Sequence, residues 1–205
     1  MRLSSIEEKV IQVEAFYSAL DKELSAFRQT AGYGCVSGCS RCCQAPSVEA
    51  TILEFLPLAF HLYKENTAVG MYDALSKNTS SLCALYEPVF AASRKGACSD
   101  YTYRALICRL FGFSFTRDKT GQPVLLTCNE IKTEHAAAHE VVSAKASEGA
   151  HVPLATAYFN QLTDIDYSLT RRQYPINEAM RLAIELVLTH FHYSEPLGEE
   201  QKTAS

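Results

Sequence analysis

Between positions 5 and 30, apolar residues fall at Ile6, Val10, Val13, Tyr17, Leu20, Leu24 and Phe27, in steps of four and three. Those steps repeat one face of a helix, so the segment predicts a long amphipathic helix. Ser5 with Glu8 supplies a capping box at its start, and Gly32 and Gly34 stand just past its last apolar position, where a left-handed cap costs little. The stripe suits a core-facing helix, and at about three heptads it is also long enough for a homodimer through helix 5–30.

Dense apolar positions from Val48 to Tyr63 predict a second helical region, with Thr51 and Glu54 as another capping box and Pro57 as a kink or restart. A short helix is expected over 67–77, and 81–112 is irregular. The runs FSFTRD and PVLLTC flank a Gly-containing turn and read as the one clear hairpin. Helices are expected over 130–147, over 153–163, and from a first turn at Pro175 to about Tyr193, before a flexible tail at 194–205. The fold class is therefore mainly α with a small β-hairpin, as a single domain over 1–205.

Composition narrows the function. The chain has 205 residues, 47% of them apolar, few Gly or Pro, and a formal charge of −4. That permits a proper core and provides no basic field for nucleic acid or anionic lipid. No run approaches the roughly 18 apolar residues of a membrane span, and the opening residues are polar where a signal peptide would be apolar. The expectation is a cytoplasmic protein without nucleic-acid or membrane partners. Neither a Gly-rich phosphate loop nor a Gly-x-Ser-x-Gly elbow occurs.

Eight cysteines change this picture. Reduced and clustered thiols most often hold a metal. Cys35, Cys39, Cys42 and Cys43 have the spacing C-x3-C-x2-C-C, and a turn of that kind, eased by Gly38, can aim successive sulfurs at one centre. Such loops serve zinc and iron–sulfur clusters alike. Adjacent Cys42 and Cys43 are awkward ligands for a single ion, because side chains of neighbouring residues tend to diverge. Either one is a spare, or more than one metal atom is held. Cys98 and Cys108 lie ten residues apart further on, with Arg104 and Arg109 in the same stretch.

Together the two constellations resemble the YkgJ-like cysteine-cluster family, also described as the CxxCxxCC zinc- or iron-chelating domain. The resemblance covers about residues 33–112. It places the first loop on Cys35, Cys39, Cys42 and Cys43, an early Glu on Glu54, a further cysteine on Cys83, and the closing pattern on Cys98, Ser99, Tyr101, Arg104, Cys108, Arg109 and Phe111. This chain has Ala84 and Ala105 where the family pattern has prolines, and a longer stretch from Cys83 to Cys98. The resemblance implies a metal-chelating core at 33–112, its cysteine-rich loops set between helices, with 1–32 and 113–193 as a helical surround. Its metal ligands would be Cys35, Cys39, Cys42, Cys43, Cys83, Cys98 and Cys108.

Seven thiols exceed the four of a structural zinc site, which favours an iron–sulfur cluster in a redox or accessory role, with a zinc-binding structural or interaction protein as the alternative. Arg41, Arg104 and Arg109 could offset thiolate charge. Flagellin lysine methylases carry a similar cysteine-cluster domain, so a component or relative of a protein lysine methyltransferase is a second alternative. The residues themselves assign no reaction and no protein partner. Cys35, Cys39 and Cys42 also match radical-SAM spacing, but a loop following a long helix without βα repeats argues against that chemistry. His135 and His139 stand four apart and could share a helix face, although without the Glu of H-E-x-x-H solvation is the plainer reading. Cys128 reads as a buried thiol.

Overall fold

A computed structural model of the chain describes residues 5–32, 34, 41–87 and 97–194. Helix α1 runs Ile6–Ala31. Its capping box forms as the sequence predicts: the Glu8 amide donates to Ser5 Oγ at 3.2 Å, and the Ser5 amide donates to Glu8 Oε2 at 2.9 Å. Gly32 closes it at φ 71°, a left-handed conformation that a Cβ would strain, and its amide returns to the Arg28 carbonyl. Ile6, Val10, Val13, Tyr17, Leu20 and Leu24 are buried within the chain, where α1 packs on the helices at 56–64, 106–110 and 155–165, so the seam that could have served a dimer is covered by the protein's own core.

A 3₁₀ turn at Leu53–Phe55 leads into α2, Leu56–Lys64. Pro57 sits in the first turn of α2, where its missing N–H costs nothing, so it restarts the chain direction and does not kink a helix. Helix α3, Ala68–Lys77, follows. Both α2 and α3 pack against the closing helix α9, Ile176–Ser194. Ile176, Ala179, Met180, Ala183, Ile184 and Val187 form the buried stripe of α9, and its alanines let the helices approach closely.

Between these helices lie α4 (Leu106–Leu110), α5 (Asn129–Glu134), α6 (Ala136–Ser147), α7 (Ala155–Ile165) and α8 (Tyr167–Thr170). The region expected as one helix over 130–147 is two, broken at His135 with φ −127° and ψ 38°. The expected hairpin is present as β4, Ser114–Arg117, antiparallel to β5, Pro123–Leu126. Gly112 precedes it at φ 91°, and a Cβ there would meet Ile131 Cδ1 at 2.8 Å.

Two further antiparallel ladders carry no hairpin signal. β1, Glu49–Ala50, pairs with β6, Tyr174–Pro175, so Pro175 ends a strand just before α9 and does not open the helix. β2, Tyr86–Glu87, pairs with β3, Ala97–Cys98. No helix among the described residues is long and apolar enough to cross a membrane.

Candidate metal centre

Three segments carry the described cysteines of the 33–112 region. A 3₁₀ turn at Arg41–Gln44 presents Cys42 and Cys43. The Cys83 amide donates to the Cys43 carbonyl at 3.4 Å, which lays the second segment beside the first. The Cys83 carbonyl accepts from the Tyr86 amide at 2.9 Å, and Tyr86 pairs with Cys98 across β2 and β3. Ser99 fixes the same ladder, donating to the Leu85 carbonyl from its amide at 2.7 Å and from its hydroxyl at 3.1 Å. Ten residues after Cys98, α4 carries Cys108.

The sulfurs meet. Cys43 is hydrogen-bonded through its side chain to both Cys42 and Cys98. That contact lowers the Cys42 thiol to about 6 and the Cys98 thiol to about 7, with the positive charge of Arg104 adding to both effects. Cys43 moves the opposite way, well above the ordinary thiol range, because it keeps the proton it shares with its two neighbours. Burial raises Cys83 and pushes Cys108 up to about 12, and both feel the charge of Cys42. One thiol is therefore flanked by two groups poised to be thiolates, the form that binds metal. The divergence expected of Cys42 and Cys43 is not found: adjacent Cα atoms are only about 3.8 Å apart, so staggered side chains can converge on a common side.

Soft, thiol-rich and free of His, this donor set fits the chemistry of zinc or of iron–sulfur clusters. Among the described residues, no group of three or more Cys, His, Asp or Glu side chains is arranged so that it could hold a metal ion. Cys35 and Cys39 lie outside the described residues, as does the side chain of Arg41. Cys128, at the N-cap of α5, is half-buried. His139 stands in the first turn of α6 and its amide donates to the His135 carbonyl at the break before it. Beside the thiols, Cys42 and Cys108 line a mainly apolar cleft of about 460 Å³ with Ile107, Phe111, Leu126 and Phe159.

Glu54 is almost fully buried, with 1% exposure, and braces α4. Its Oε1 accepts from the Thr51 amide at 2.7 Å and the Thr51 hydroxyl at 3.0 Å, and its Oε2 accepts from the Leu106 amide at 2.7 Å. Only half of the expected capping box forms, because the Thr51 hydroxyl donates to Glu54 Oε1 and does not accept from the Glu54 amide, while the second carboxylate oxygen serves a segment 52 residues away. Burial raises the Glu54 carboxyl, while these hydrogen bonds pull it down.

Arg109, with 3% exposure, does not turn toward the thiols. It pairs with Asp21 on α1, donates to the carbonyls of Thr102 and Arg104, and lies 4.1 Å over the Tyr17 ring. Arg104 is the arginine whose charge reaches Cys42, Cys98 and Cys108, and its guanidinium covers the ring of exposed Tyr101.

Asn177 on α9 carried no signal in the sequence. Its Oδ1 accepts from the Ala84 amide at 2.8 Å, and its Nδ2 donates to the carbonyls of Leu82 at 2.8 Å and Ser80 at 3.3 Å, clamping the segment that holds Cys83. The alanine that replaces the expected proline after Cys83 thus has a use, because proline has no N–H to give. Ala105, the other replacement, has φ −59° and is compatible with either residue.

A family model covers residues 34–139, the stretch that holds these thiols, Glu54, the hairpin, α5 and the first turn of α6. The chain belongs to the CxxCxxCC family, named as a putative zinc- or iron-chelating domain. Metal binding by a cysteine cluster is thus its family property. No curated protein and no solved structure matches the chain.

Proposed function

We propose that this CxxCxxCC chain holds an iron–sulfur cluster for a redox or accessory role, with Cys42, Cys43, Cys83, Cys98 and Cys108 among its ligands and Cys35 and Cys39 completing the set. The observation that carries this reading is that Cys43, which keeps its proton, is hydrogen-bonded through its side chain to Cys42 and to Cys98, residues of two separate segments. Replacing that proton with metal removes the repulsion between two thiolates and satisfies all three sulfurs at once. Five described thiols already exceed the four donors of a structural zinc site, and no His accompanies them, which supports a multinuclear cluster over a single zinc ion. Free thiols suit a reducing compartment, so the reading includes a cytoplasmic location and a single domain in which 33–112 is the chelating core.

The test is anaerobic purification followed by metal and sulfide analysis and a visible spectrum. Iron and acid-labile sulfide in stoichiometric amounts, with broad absorbance near about 400 nm, are the expected result. Stoichiometric zinc in a colourless protein would replace the cluster with a zinc site, and the absence of both metals would overturn chelation by this chain.

A further inference from the structure

A second concavity lies against residues 101–109, which follow Cys98. It is a groove of about 800 Å³ between α1 and the loop 101–104, lined by Lys22, Arg28, Arg104 and Arg109 among others. Two carboxylates also line it. Asp21 is committed to Arg109, and Glu14 lies toward the start of α1, about 21 Å along the helix from Arg28 at 1.5 Å per residue.

The cations are unequally satisfied. Arg109 spends its donors on Asp21 and on the carbonyls of Thr102 and Arg104, which makes it a fixed wall. Arg104 donates only from Nε, to the Tyr101 carbonyl at 2.9 Å, which leaves its two terminal NH₂ groups without a protein acceptor among the described residues. Arg28 lies 4.0 Å over the Phe113 ring, and its Nε is shielded from solvent with no hydrogen-bond partner. Lys22 is exposed and meets no carboxylate among the described residues. A buried guanidinium N–H left unpaired is costly, and planar guanidinium groups match the two oxygens of a carboxylate or phosphate. Tyr101 and Tyr103 line the groove beside Arg104 and give it apolar wall as well as charge.

We propose that this groove is a binding site for a small oxyanion, the carboxylate or phosphate group of a low-molecular-weight ligand, held by Arg28 and Arg104 with Lys22 at its rim. The groove is independent of the metal reading: none of these three residues is a proposed ligand, and an anion could bind whether the thiols hold iron, zinc or neither.

Calorimetric titration of the purified protein with pyrophosphate and with citrate, at fixed ionic strength and with mannitol as neutral control, tests the site. Saturable binding of pyrophosphate alone assigns a phosphate ligand, and of citrate alone a carboxylate ligand. Binding of both assigns a general oxyanion site, and binding of neither overturns the proposal. Arg28→Met should weaken the bound anion by about tenfold or more, the scale of one charge-assisted hydrogen bond. Lys22→Ala, at an exposed position, should weaken it less.

Arg104→Met should weaken the bound anion by a similar factor; should that variant fail to fold, phenylglyoxal labelling of the wild-type protein replaces it. The bound anion should slow modification of Arg28 and Arg104 while leaving exposed Arg171, outside the groove, unchanged. Equal labelling rates with and without anion, or unaltered affinity in Arg28→Met, would overturn the assignment.

Discussion

Replacing Glu54 by Gln removes one charge from the core while keeping the side chain's size. Every group facing the carboxylate is a donor: the Thr51 amide and hydroxyl on one oxygen, and the Leu106 amide on the other. A glutamine offers one acceptor oxygen and one donor nitrogen, so it can serve Thr51 or Leu106 but not both. Orphaning the buried Leu106 amide costs about 1–3 kcal/mol, and the bonds that remain lose their charge assistance. Relief of the buried charge offsets part of this, leaving a net loss of about 2 kcal/mol. For a chain of this size that corresponds to a melting temperature lower by about 4–8 °C. Thermal unfolding followed by circular dichroism measures it, with exposed Glu49→Gln as control and expected within about 0.5 kcal/mol of wild type. Leu106 begins the helix that carries Cys108, so the variant should also bind metal less tightly than its melting shift alone accounts for. A Glu54→Gln protein that melts within a degree of wild type and keeps its metal affinity would refute the claim that this carboxylate braces α4.

Three other outcomes are expected. Ala84→Pro deletes the amide held by Asn177 but also restricts the unfolded chain, so its stability should change by less than about 1 kcal/mol; Asn177→Ala, which loses three hydrogen bonds, should cost more, and equal urea midpoints for the two variants would remove Asn177 as the clamp. Asp166 caps α8 and pairs with Lys9 at 2.7 Å; burial works to raise its carboxyl, but Lys9, Ser168 and the Leu169 amide hold it below the ordinary value. Because that folded-state value is depressed, its contribution is complete above the unfolded Asp value of about 3.9 and is lost as pH falls through the lower one, so the stability gap between wild type and Asp166→Asn should close below about pH 4 in pH-resolved melts. Ser replacements at Cys42, Cys43 and Cys98 should each strip metal, measured by elemental analysis, whereas Cys128→Ser should keep it and change stability by about 1 kcal/mol; retention of full metal in either Cys42→Ser or Cys43→Ser would reduce the pair to one ligand and a spare.

Much of the fold was legible in the sequence because it rests on local periodicity. The stripe from Ile6 to Leu24 is the buried face of α1, the Ser5 and Glu8 pair caps it, and the runs on either side of residues 118–122 form β4 and β5. Each depends on residues a few positions apart, where spacing alone fixes which side chains share a face. The cysteine spacing and the pattern around Cys98–Phe111 likewise pointed to the family, since a ligand loop is itself a short-range device.

Tertiary structure decided what spacing could not reach. That Cys43 lies between Cys42 and Cys98 follows from the pairing of Tyr86 with Cys98 and of the Cys83 amide with the Cys43 carbonyl, contacts between segments 12 to 40 residues apart along the chain. Glu54 looked like the second half of a local capping box, yet one of its oxygens belongs to α4. Arg104 and Arg109, five residues apart in one motif, have different partners: packing on α1 turns Arg109 to Asp21 and leaves Arg104 within electrostatic reach of the thiols. The reason is common to all three cases. Buried polar groups take whichever partner the folded chain brings within hydrogen-bonding distance, and over dozens of residues that distance is set by helix packing and not by sequence separation.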